Sequence, residues 1–306
     1  MTYRMVEVDP MSMIALFNGV ARMAADSNAN PDQIERLVLR LSDLDLAFGT
    51  YARARVASGV GDIPVAAKLH YQALELDSGR SSNRSSLFSL LAQLGLADEA
   101  AKVAPSATAD LLFLTAQWEN AIQVYRQAYE INPTSMKTSA ELMSALYFAG
   151  RVDEGFSLAE KLWDQFGDNP YQIGWLNTEM ANLARKTEHS AESHLYRDAA
   201  ALWLQSLIEA GEVSGERYMA EAQLAAYDHR EEDAVKAISL ALDHGWRWHY
   251  LLKMPHFEDM KDNPAFQAQA NRQRDLIETE SGEIVAMLCG PDSILTSWEP
   301  AAETCN

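Results

Sequence analysis

The chain has 306 residues, 48% of them hydrophobic, and its 44 acidic and 25 basic side chains give a formal net charge of −19. The apolar fraction is sufficient for a buried core, which excludes an intrinsically disordered chain. The negative charge repels nucleic-acid phosphates and anionic lipid headgroups, so the sequence predicts neither a nucleic-acid partner nor a membrane partner.

Cysteine usage and the N-terminal segment bear on the cellular compartment. Cys289 and Cys305 are the two cysteines, and this number implies no disulfide framework and fits a reducing compartment. The apolar run over residues 11–25 is interrupted by Asn18 and Arg22, so it resembles neither a signal peptide nor a transmembrane span. We therefore expect a cytoplasmic protein.

Apolar residues at helical spacing, separated by turn residues, predict paired helices along most of the chain. Asn30 followed by Pro31 is a typical helix start, and Gly150 is typical of a turn between helices. In chain order, the predicted helical segments are 11–25, 31–41, a hairpin over 43–77 with its turn at 59–62, a hairpin over 81–104, 107–115, 118–133, a hairpin over 136–166, 171–184, 191–210 and a hairpin over 215–244 with its turn at 228–230.

The segment 118–133, with the sequence WENAIQVYRQAYEINP, carries the most specific pattern. Ala121, Tyr125, Ala128 and Pro133 match the second half of the tetratricopeptide pattern, in which small alanines admit a neighbouring helix and proline ends the hairpin. The segment therefore resembles the second helix of a tetratricopeptide repeat. The resemblance covers roughly residues 47–277 and is strong again over 215–244.

The end of the chain carries a second resemblance. Many bacterial tetratricopeptide arrays end with a short motif that precedes a last capping helix. This motif is similar to the residues Asp262, Asn263, Pro264 and Phe266 of the present chain. In physical terms, Asn263 can cap that helix, Pro264 can open it, and Phe266 can attach it to the preceding hairpin.

The resemblance implies an all-α fold, an α-α superhelix in which helical hairpins form a tetratricopeptide-like solenoid with capping helices at both ends. We expect N-terminal capping helices over 1–42, the repeat array over 43–245, a C-terminal capping segment over 246–286 and a loosely packed, irregular tail over 287–306. Aromatic residues at the start of the C-terminal capping segment are expected to close the end of the solenoid: Trp246, Trp248, Tyr250 and Phe257.

In tetratricopeptide proteins, the first helix of each hairpin lines a concave groove that holds extended or helical peptide segments. The resemblance therefore implies a non-catalytic scaffold or regulatory module that binds a protein or peptide partner. The Lys- and Asn-rich clamp for chaperone C-termini is missing, which disfavours that partner. The groove positions of the family correspond here to Tyr51, Arg55, Ser85, Ser89, Tyr147, Phe148, Thr178, Asn182, Gln223 and Tyr227.

Two other functions remain open. The same array could sense a small peptide or metabolite, which the aromatic positions Tyr147, Phe148 and Tyr227 permit. Alternatively, an enzyme site could form in the irregular region 187–250. The residues that could approach one another there are His189, Glu192, His194, His244 and His249.

Motifs for catalysis or metal binding do not occur at the required spacing. The phrase HSAESH differs from the HExxH zinc motif by one residue of spacing, and the G-x-S-x-G nucleophile motif is absent. His244, His249 and His256 match no standard zinc motif, and Gly59-Val60-Gly61 lacks the third glycine of a dinucleotide fingerprint. We therefore predict no catalytic residue, no metal site and no cofactor.

Overall fold

The computed structural model describes residues 13–24, 26, 29–167, 173–290, 295 and 297–305, and over these ranges the protein is all-α, without a β-strand. An isolated bridge joins Asp26 and Glu212. No helix in these ranges is both long enough and apolar enough to span a bilayer. The helices are α1 (Met13–Ala24), α2 (Pro31–Leu44), α3 (Leu46–Gly59), α4 (Ile63–Leu76), α5 (Ser81–Gln93), α6 (Ala97–Val103), α7 (Thr108–Leu114), α8 (Trp118–Ile131), α9 (Met136–Phe148), α10 (Val152–Phe166), α11 (Asn177–Lys186), α12 (Ser190–Glu209), α13 (Gly215–Tyr227), α14 (Glu231–Asp243) and α15 (Pro264–Cys289), with short 3-10 helices at Gly174–Leu176, Leu251–Lys253, Pro255–Met260 and Ala302–Cys305.

Local sequence explains where these helices start. Each capping side chain accepts a hydrogen bond from a backbone N–H of the first turn, which satisfies a donor that has no partner within the helix. Asn263 does this for two donors, Ala265 N at 2.9 Å and Phe266 N at 3.2 Å, as the sequence predicts. The side-chain caps are Asn30, Asp45, Asp62, Ser135, Ser214 and Asn263.

Consecutive helices pack against each other as a repeat-like series of hairpins, most extensively α3 with α4 and α13 with α14. Small residues allow the close approach between hairpins. A Cβ atom added at Gly155 of α10 would lie 2.9 Å from Leu183 Cδ2 of α11, so this glycine makes room for that leucine. Ala121 is fully buried in the same core.

The two ends of the helical series meet. A Cβ atom added at Gly61, in the turn between α3 and α4, would lie 2.7 Å from the carbonyl oxygen of Asp243 at the end of α14. A Cβ atom added at Gly245 would lie 2.9 Å from the carbonyl oxygen of Ser58. Hairpins far apart in sequence therefore enclose a common interior.

Helix α15 connects the two halves of the core. Its first half, with Phe266 and Ala270, belongs to the large apolar cluster that extends from α8 to the C-terminal turns. Its second half, with Ile284 and Leu288, belongs to the cluster formed mainly by α4, α5 and α6. The helix runs to Cys289 and therefore extends past position 287, where the irregular tail was expected to start.

The expectation of a loosely packed tail is wrong for the described residues 295 and 297–305. Glu99 of α6 is fully buried and accepts hydrogen bonds from Trp298 Nε1, from Ala301 N at 2.7 Å and from Tyr71 OH at 2.9 Å. A buried carboxylate needs such donors, and the tail supplies them.

The expectation that the cysteines imply no disulfide is also wrong. Cys289 and Cys305 form a disulfide, with their Cα atoms 5.6 Å apart. Spacing along the chain could not reveal this pairing, because it depends on how the tail folds back. The prediction of a reducing compartment relied on unpaired cysteines, so the disulfide removes its basis, and the cytoplasmic location stays a prediction.

Other predicted segments agree with the structure within a few residues, with one exception. The helix predicted over 171–184 starts instead with the 3-10 turn Gly174–Leu176 and continues as α11 from Asn177. Residues 11, 12, 25, 171 and 172 of the predicted segments lie outside the described part of the chain.

Candidate functional site: two adjoining cavities

Two cavities lie next to each other in the interior, and Glu216 and Trp246 line both of them. Their volumes are about 410 Å³ and 540 Å³, within the ~300–1,000 Å³ range of ligand pockets. We call the first the serine cavity, after Ser58, Ser85, Ser86 and Ser89. We call the second the tryptophan cavity, because four of the seven tryptophans of the chain line it: Trp175, Trp203, Trp246 and Trp248.

The serine cavity has a polar wall that includes an arginine without a partner among the described residues. Ser85, Ser86 and Ser89 project from α5, opposite Arg55 of α3. The Arg55 side chain is exposed and forms no ion pair or hydrogen bond with other described residues. His70 also lines this wall, and its Nδ1 lies 2.6 Å from Asn83 Oδ1, while burial lowers its pKa to about 4. This histidine is therefore neutral at physiological pH, and Arg55 supplies the positive charge.

The tryptophan cavity receives its aromatic walls from separate elements. Trp203 comes from α12, and Trp246 and Trp248 come from the turn after α14, where their rings lie parallel with centroids 6.4 Å apart. A Cβ atom added at Gly174 would lie 2.2 Å from Trp203 Cδ1, so this glycine allows the indole to lie flat against the backbone. Trp175 is the most open of the four rings, with 48% of its surface exposed.

Carboxylates face the same cavity. Glu179 of α11 is only 8% exposed, accepts a hydrogen bond from Ser144 Oγ at 2.6 Å, and has a pKa raised to about 7 by burial. Glu216 of α13 is exposed to the solvent of the cavity, and the surrounding protein and the nearby Glu212 raise its pKa. Burial also raises the pKa of Glu141, which pairs with Lys137 at 3.5 Å.

The positive charge that lines the tryptophan cavity is already neutralised. Arg217 is the one lysine or arginine among its described lining residues. Its guanidinium pairs with Glu221, donates to the Glu212 carbonyl oxygen at 3.0 Å and lies 3.8 Å from the centroid of the Tyr218 ring. The cavity is therefore strongly acidic on its accessible side.

Several polar atoms behind the aromatic walls have no hydrogen-bond partner in the described part of the chain. They are Trp248 Nε1, Tyr147 OH, Tyr250 OH and both ring nitrogens of His256. His256 packs edge-on against Tyr147, with ring centroids 4.9 Å apart, and burial lowers its pKa to about 3. Such unpaired groups are rare in folded proteins and concentrate at sites where something else completes them.

The structure divides the ten predicted groove residues into two groups. Arg55, Ser85 and Ser89 line the serine cavity, and Phe148 and Gln223 line the tryptophan cavity. The other five line neither cavity: Tyr51, Tyr147, Thr178 and Asn182 are buried, and Tyr227 is half-buried.

Local packing explains why the second group differs from the groove positions that the repeat pattern implies. The 3-10 turn with His256 covers Tyr147. Asn182 donates to the Thr178 carbonyl oxygen at 2.9 Å within α11. Tyr227 lies under the Arg185 guanidinium, 4.5 Å from its ring centroid, and its hydroxyl is 2.5 Å from Ser193 Oγ.

The histidines considered for an enzyme site have different surroundings. His189 packs on Phe156 with ring centroids 4.3 Å apart, whereas His244 stacks on Tyr218 at 5.1 Å and lines the serine cavity. His194 is exposed on α12, and His249 packs against Tyr250. Within the described ranges, no three His, Cys, Asp or Glu side chains are grouped so that they could hold a metal ion.

Neither a protein-family model nor a curated protein matches this chain. The sequence analysis missed the acidic lining residues Glu141, Glu179 and Glu216, and it assigned Trp246 and Trp248 to the end of the solenoid. The sequence feature that could have indicated the tryptophan cavity is the number of tryptophans outside the repeat pattern. Trp175 and Trp203 occupy no position that the tetratricopeptide pattern requires, and the exposed ring of Trp175 is typical of a binding surface.

Proposed function

We propose that this protein is a non-catalytic, tetratricopeptide-like solenoid that binds a peptide segment of a partner protein along the two adjoining cavities. The observation that carries the proposal is that the two cavities adjoin at Glu216 and Trp246, which line both, with walls contributed by hairpins from both halves of the chain. A preformed site spares part of the ordering cost of binding.

The tetratricopeptide assignment has its own support. Ala121 and Tyr125, two positions of the repeat pattern, are buried at the contact between hairpins, and Gly155 brings α10 close to α11. Asn263 caps α15 in the manner of the terminal capping helix that the resemblance implies. We infer that α1 and α2 form the N-terminal cap and that α15 forms the C-terminal cap.

The two cavities offer different recognition chemistry to one ligand. The serine cavity presents hydroxyl groups and the free Arg55 guanidinium, which can bind backbone carbonyl groups and a carboxylate. The tryptophan cavity presents indole rings and carboxylates. A peptide with polar and basic positions would find a complementary surface in both.

Selection of peptides from a random display library on the purified protein tests this proposal. Ser85→Trp would fill the serine cavity from α5, whereas Ser82→Trp adds the same ring to an exposed position of that helix outside the cavity. Selected peptides should lose at least tenfold in affinity for Ser85→Trp and keep their affinity for Ser82→Trp. Failure to select peptides, or equal losses in both variants, would contradict the proposal.

A small-molecule sensor is a second candidate, favoured by one observation. The tryptophan cavity, with a volume of about 540 Å³, is large enough to surround a ligand of drug size, and Glu179 lies almost completely out of bulk solvent in its wall. A ligand that binds only the folded state raises its stability by mass action. Thermal shifts with a metabolite collection would therefore identify a sensor even if no peptide were selected.

A further inference from the structure

We propose that the tryptophan cavity binds an organic cation, an alkylammonium or guanidinium group, between the carboxylates of Glu179 and Glu216 and the indole faces of Trp246 and Trp248. The cation is either a lysine or arginine side chain of the bound peptide or a free amine. This inference rests on the proposed function and deepens it, because it names the chemical group that the second cavity takes.

The aromatic lining is the first observation that points to a cation. The face of an indole ring carries negative electrostatic potential, and tryptophan attracts cations more strongly than phenylalanine or tyrosine does. Trp246 and Trp248 stand parallel at one side of the cavity, and Trp203 and Trp175 approach from α12 and from the turn before α11. Rings from separate elements that converge on one space are typical of sites that enclose ammonium groups.

The unpaired carboxylates are the second, independent observation. Glu179 is 8% exposed and lines the cavity, yet Ser144 Oγ is its sole hydrogen-bond donor among the described residues, which leaves Oε1 without a partner. Glu216 has neither a hydrogen bond nor an ion pair with any described residue. An ionised carboxylate buried as deeply as that of Glu179 is costly unless a counter-charge compensates it, and Arg217, the cationic residue among the described lining residues, is already paired with Glu221.

The size and lining of the cavity favour an organic cation over a bare metal ion. A metal ion needs several oxygen or nitrogen ligands within a few ångströms of one point, and the described residues form no such group. A space of about 540 Å³ walled by indole rings instead matches a charged head with an apolar stem. The apolar stem would pack against Phe113, Phe148 and Met254, which also line the cavity.

Calorimetric titration of the full chain with small probes tests the proposal. n-Butylammonium and n-butylguanidinium chloride are compared with the neutral 1-pentanol, with potassium chloride at matched ionic strength setting the background. The cations should bind at least tenfold more tightly than 1-pentanol and should change the tryptophan fluorescence. The proposal is wrong if 1-pentanol binds as tightly as the organic cations do. It is also wrong if potassium chloride competes for the cavity as strongly as they do.

Three variants, each of which removes one negative charge, test whether the cation binds beside Glu179 and Glu216. Glu216→Gln should weaken n-butylammonium binding at least tenfold, and Glu179→Gln should do the same, whereas Glu209→Gln removes an exposed carboxylate of α12 outside the cavity and should change affinity less than twofold. The exposed Glu216 keeps the test valid if the buried Glu179 variant fails to fold. If Glu209→Gln weakens binding as much as Glu216→Gln, the effect is one of overall charge and the proposal fails.

Two peptide probes separate the sources of the cation and separate this proposal from the proposed function. Ac-Gly-Lys-Gly-NH₂ is compared with the same peptide carrying norleucine, and both with n-butylammonium. Tighter binding of the lysine peptide indicates a side chain, and tighter binding of the free amine indicates a small ligand; either result supports the cation site. If library peptides bind but no cation does, the cation site is wrong and the proposed function stands. If cations bind but no peptide is selected, the cation site stands and the proposed function is wrong.

Discussion

The carboxyl group of Glu179 combines burial, a single hydrogen-bond donor and a pKa near neutrality. Its charge is close enough to Tyr147 and Tyr250 to contribute to the raised pKa of both phenols, although burial is the larger cause. Ser144 Oγ stabilises the ionised carboxylate through a hydrogen bond of 2.6 Å, but burial outweighs it and raises the pKa of Glu179 to about 7. The folded protein without a ligand therefore keeps this group partly protonated at neutral pH.

This raised pKa makes stability depend on pH with a defined sign. Between the usual glutamate pKa of 4.5 and the raised value of about 7, the folded state binds more protons at Glu179 than the unfolded state does, so the free energy of unfolding falls as pH rises through this window. We expect Glu179→Gln to be more stable than the wild type at pH 8 by about 3 kcal/mol and equally stable at pH 4. Urea denaturation at the two pH values measures this. The exposed Glu209→Gln should show no such difference.

The same titrations predict how cation binding depends on pH. Glu179, with a pKa of about 7, is mostly protonated at pH 6 and mostly ionised at pH 8, and the pKa of the exposed Glu216 is also raised. Of the other charged groups around them, Glu141 and Glu212 add negative charge, and Arg217 stays paired. The affinity for tetramethylammonium, which carries a permanent charge, should therefore rise at least about tenfold from pH 6 to pH 8.

Isothermal titration of wild type and variants at both pH values measures this rise. The double variant Glu179→Gln, Glu216→Gln should bind the probe weakly at both pH values. A flat affinity in the wild type, or an equal rise in the double variant, would show that other groups control the binding.

At the scale of elements, the contact between the α3–α4 turn and the end of α14 closes the interior that holds the cavities. Gly61 has φ of +80°, and a Cβ atom there would lie 2.7 Å from the Asp243 carbonyl oxygen. Gly95 has a similar φ of +76° in the α5–α6 turn, but a Cβ atom there would meet nothing within 4 Å. Both positions therefore need a residue that tolerates positive φ, but of the two only Gly61 also lies close to another helix.

We expect Gly95→Ala to cost about 1 kcal/mol, because alanine is strained at positive φ. Gly61→Ala should cost at least about 1 kcal/mol more, because the added methyl group pushes the α3–α4 turn away from α14. Urea denaturation of both variants measures the difference. Equal destabilisation would mean that the two turns do not make this contact in solution.

A buried ion pair fixes α15 to the turn that carries Trp246 and Trp248. Arg247 donates from Nε to Glu280 Oε2 at 2.6 Å and from a terminal nitrogen to Oε1 at 2.7 Å, and its other terminal nitrogen donates to the carbonyl oxygens of Leu242 and Trp246. Both side chains are almost completely buried. Removing one partner would leave an uncompensated charge in the core.

We expect Glu280→Ala to cost about 3–5 kcal/mol and to change the tryptophan fluorescence, because the Arg247 charge loses its partner beside the indole rings. Glu278→Ala, which removes an exposed carboxylate from the same helix, should cost less than about 1 kcal/mol. Thermal denaturation followed by circular dichroism and by fluorescence tests both expectations. A small effect of Glu280→Ala would mean that water reaches the ion pair.

At the scale of the whole molecule, features encoded locally could be predicted from the sequence and features created by distant hairpins could not. The turn at Gly150 and the cap at Asn263 depend on neighbouring residues, so their residue types indicated them. The burial of Tyr147 depends on His256, and the cavity shared by Trp246 and Glu179 depends on how the turn after α14 packs relative to α11. No spacing within one hairpin encodes these contacts.

The tail is the last of these long-range features. Trp298 packs edge-on against Tyr71, with ring centroids 5.3 Å apart, and donates to the buried Glu99, while the disulfide ties Cys305 to the end of α15. The disulfide limits how far the segment can move from Glu99 when these contacts break. Its removal should therefore raise the population of the undocked tail without unfolding the helices, because a crosslink acts mainly on the disordered state.

Limited digestion with chymotrypsin, which cleaves after aromatic residues, measures this population at Trp298. We expect cleavage there to be at least about tenfold faster in Cys305→Ser than in the oxidised wild type, since a tenfold change corresponds to only ~1.4 kcal/mol of docking free energy. Reduction of the wild type should reproduce the faster cleavage, and reduction of Cys305→Ser should add nothing. Equal rates in the oxidised and reduced wild type would mean that the contacts with Glu99 alone hold the tail in place.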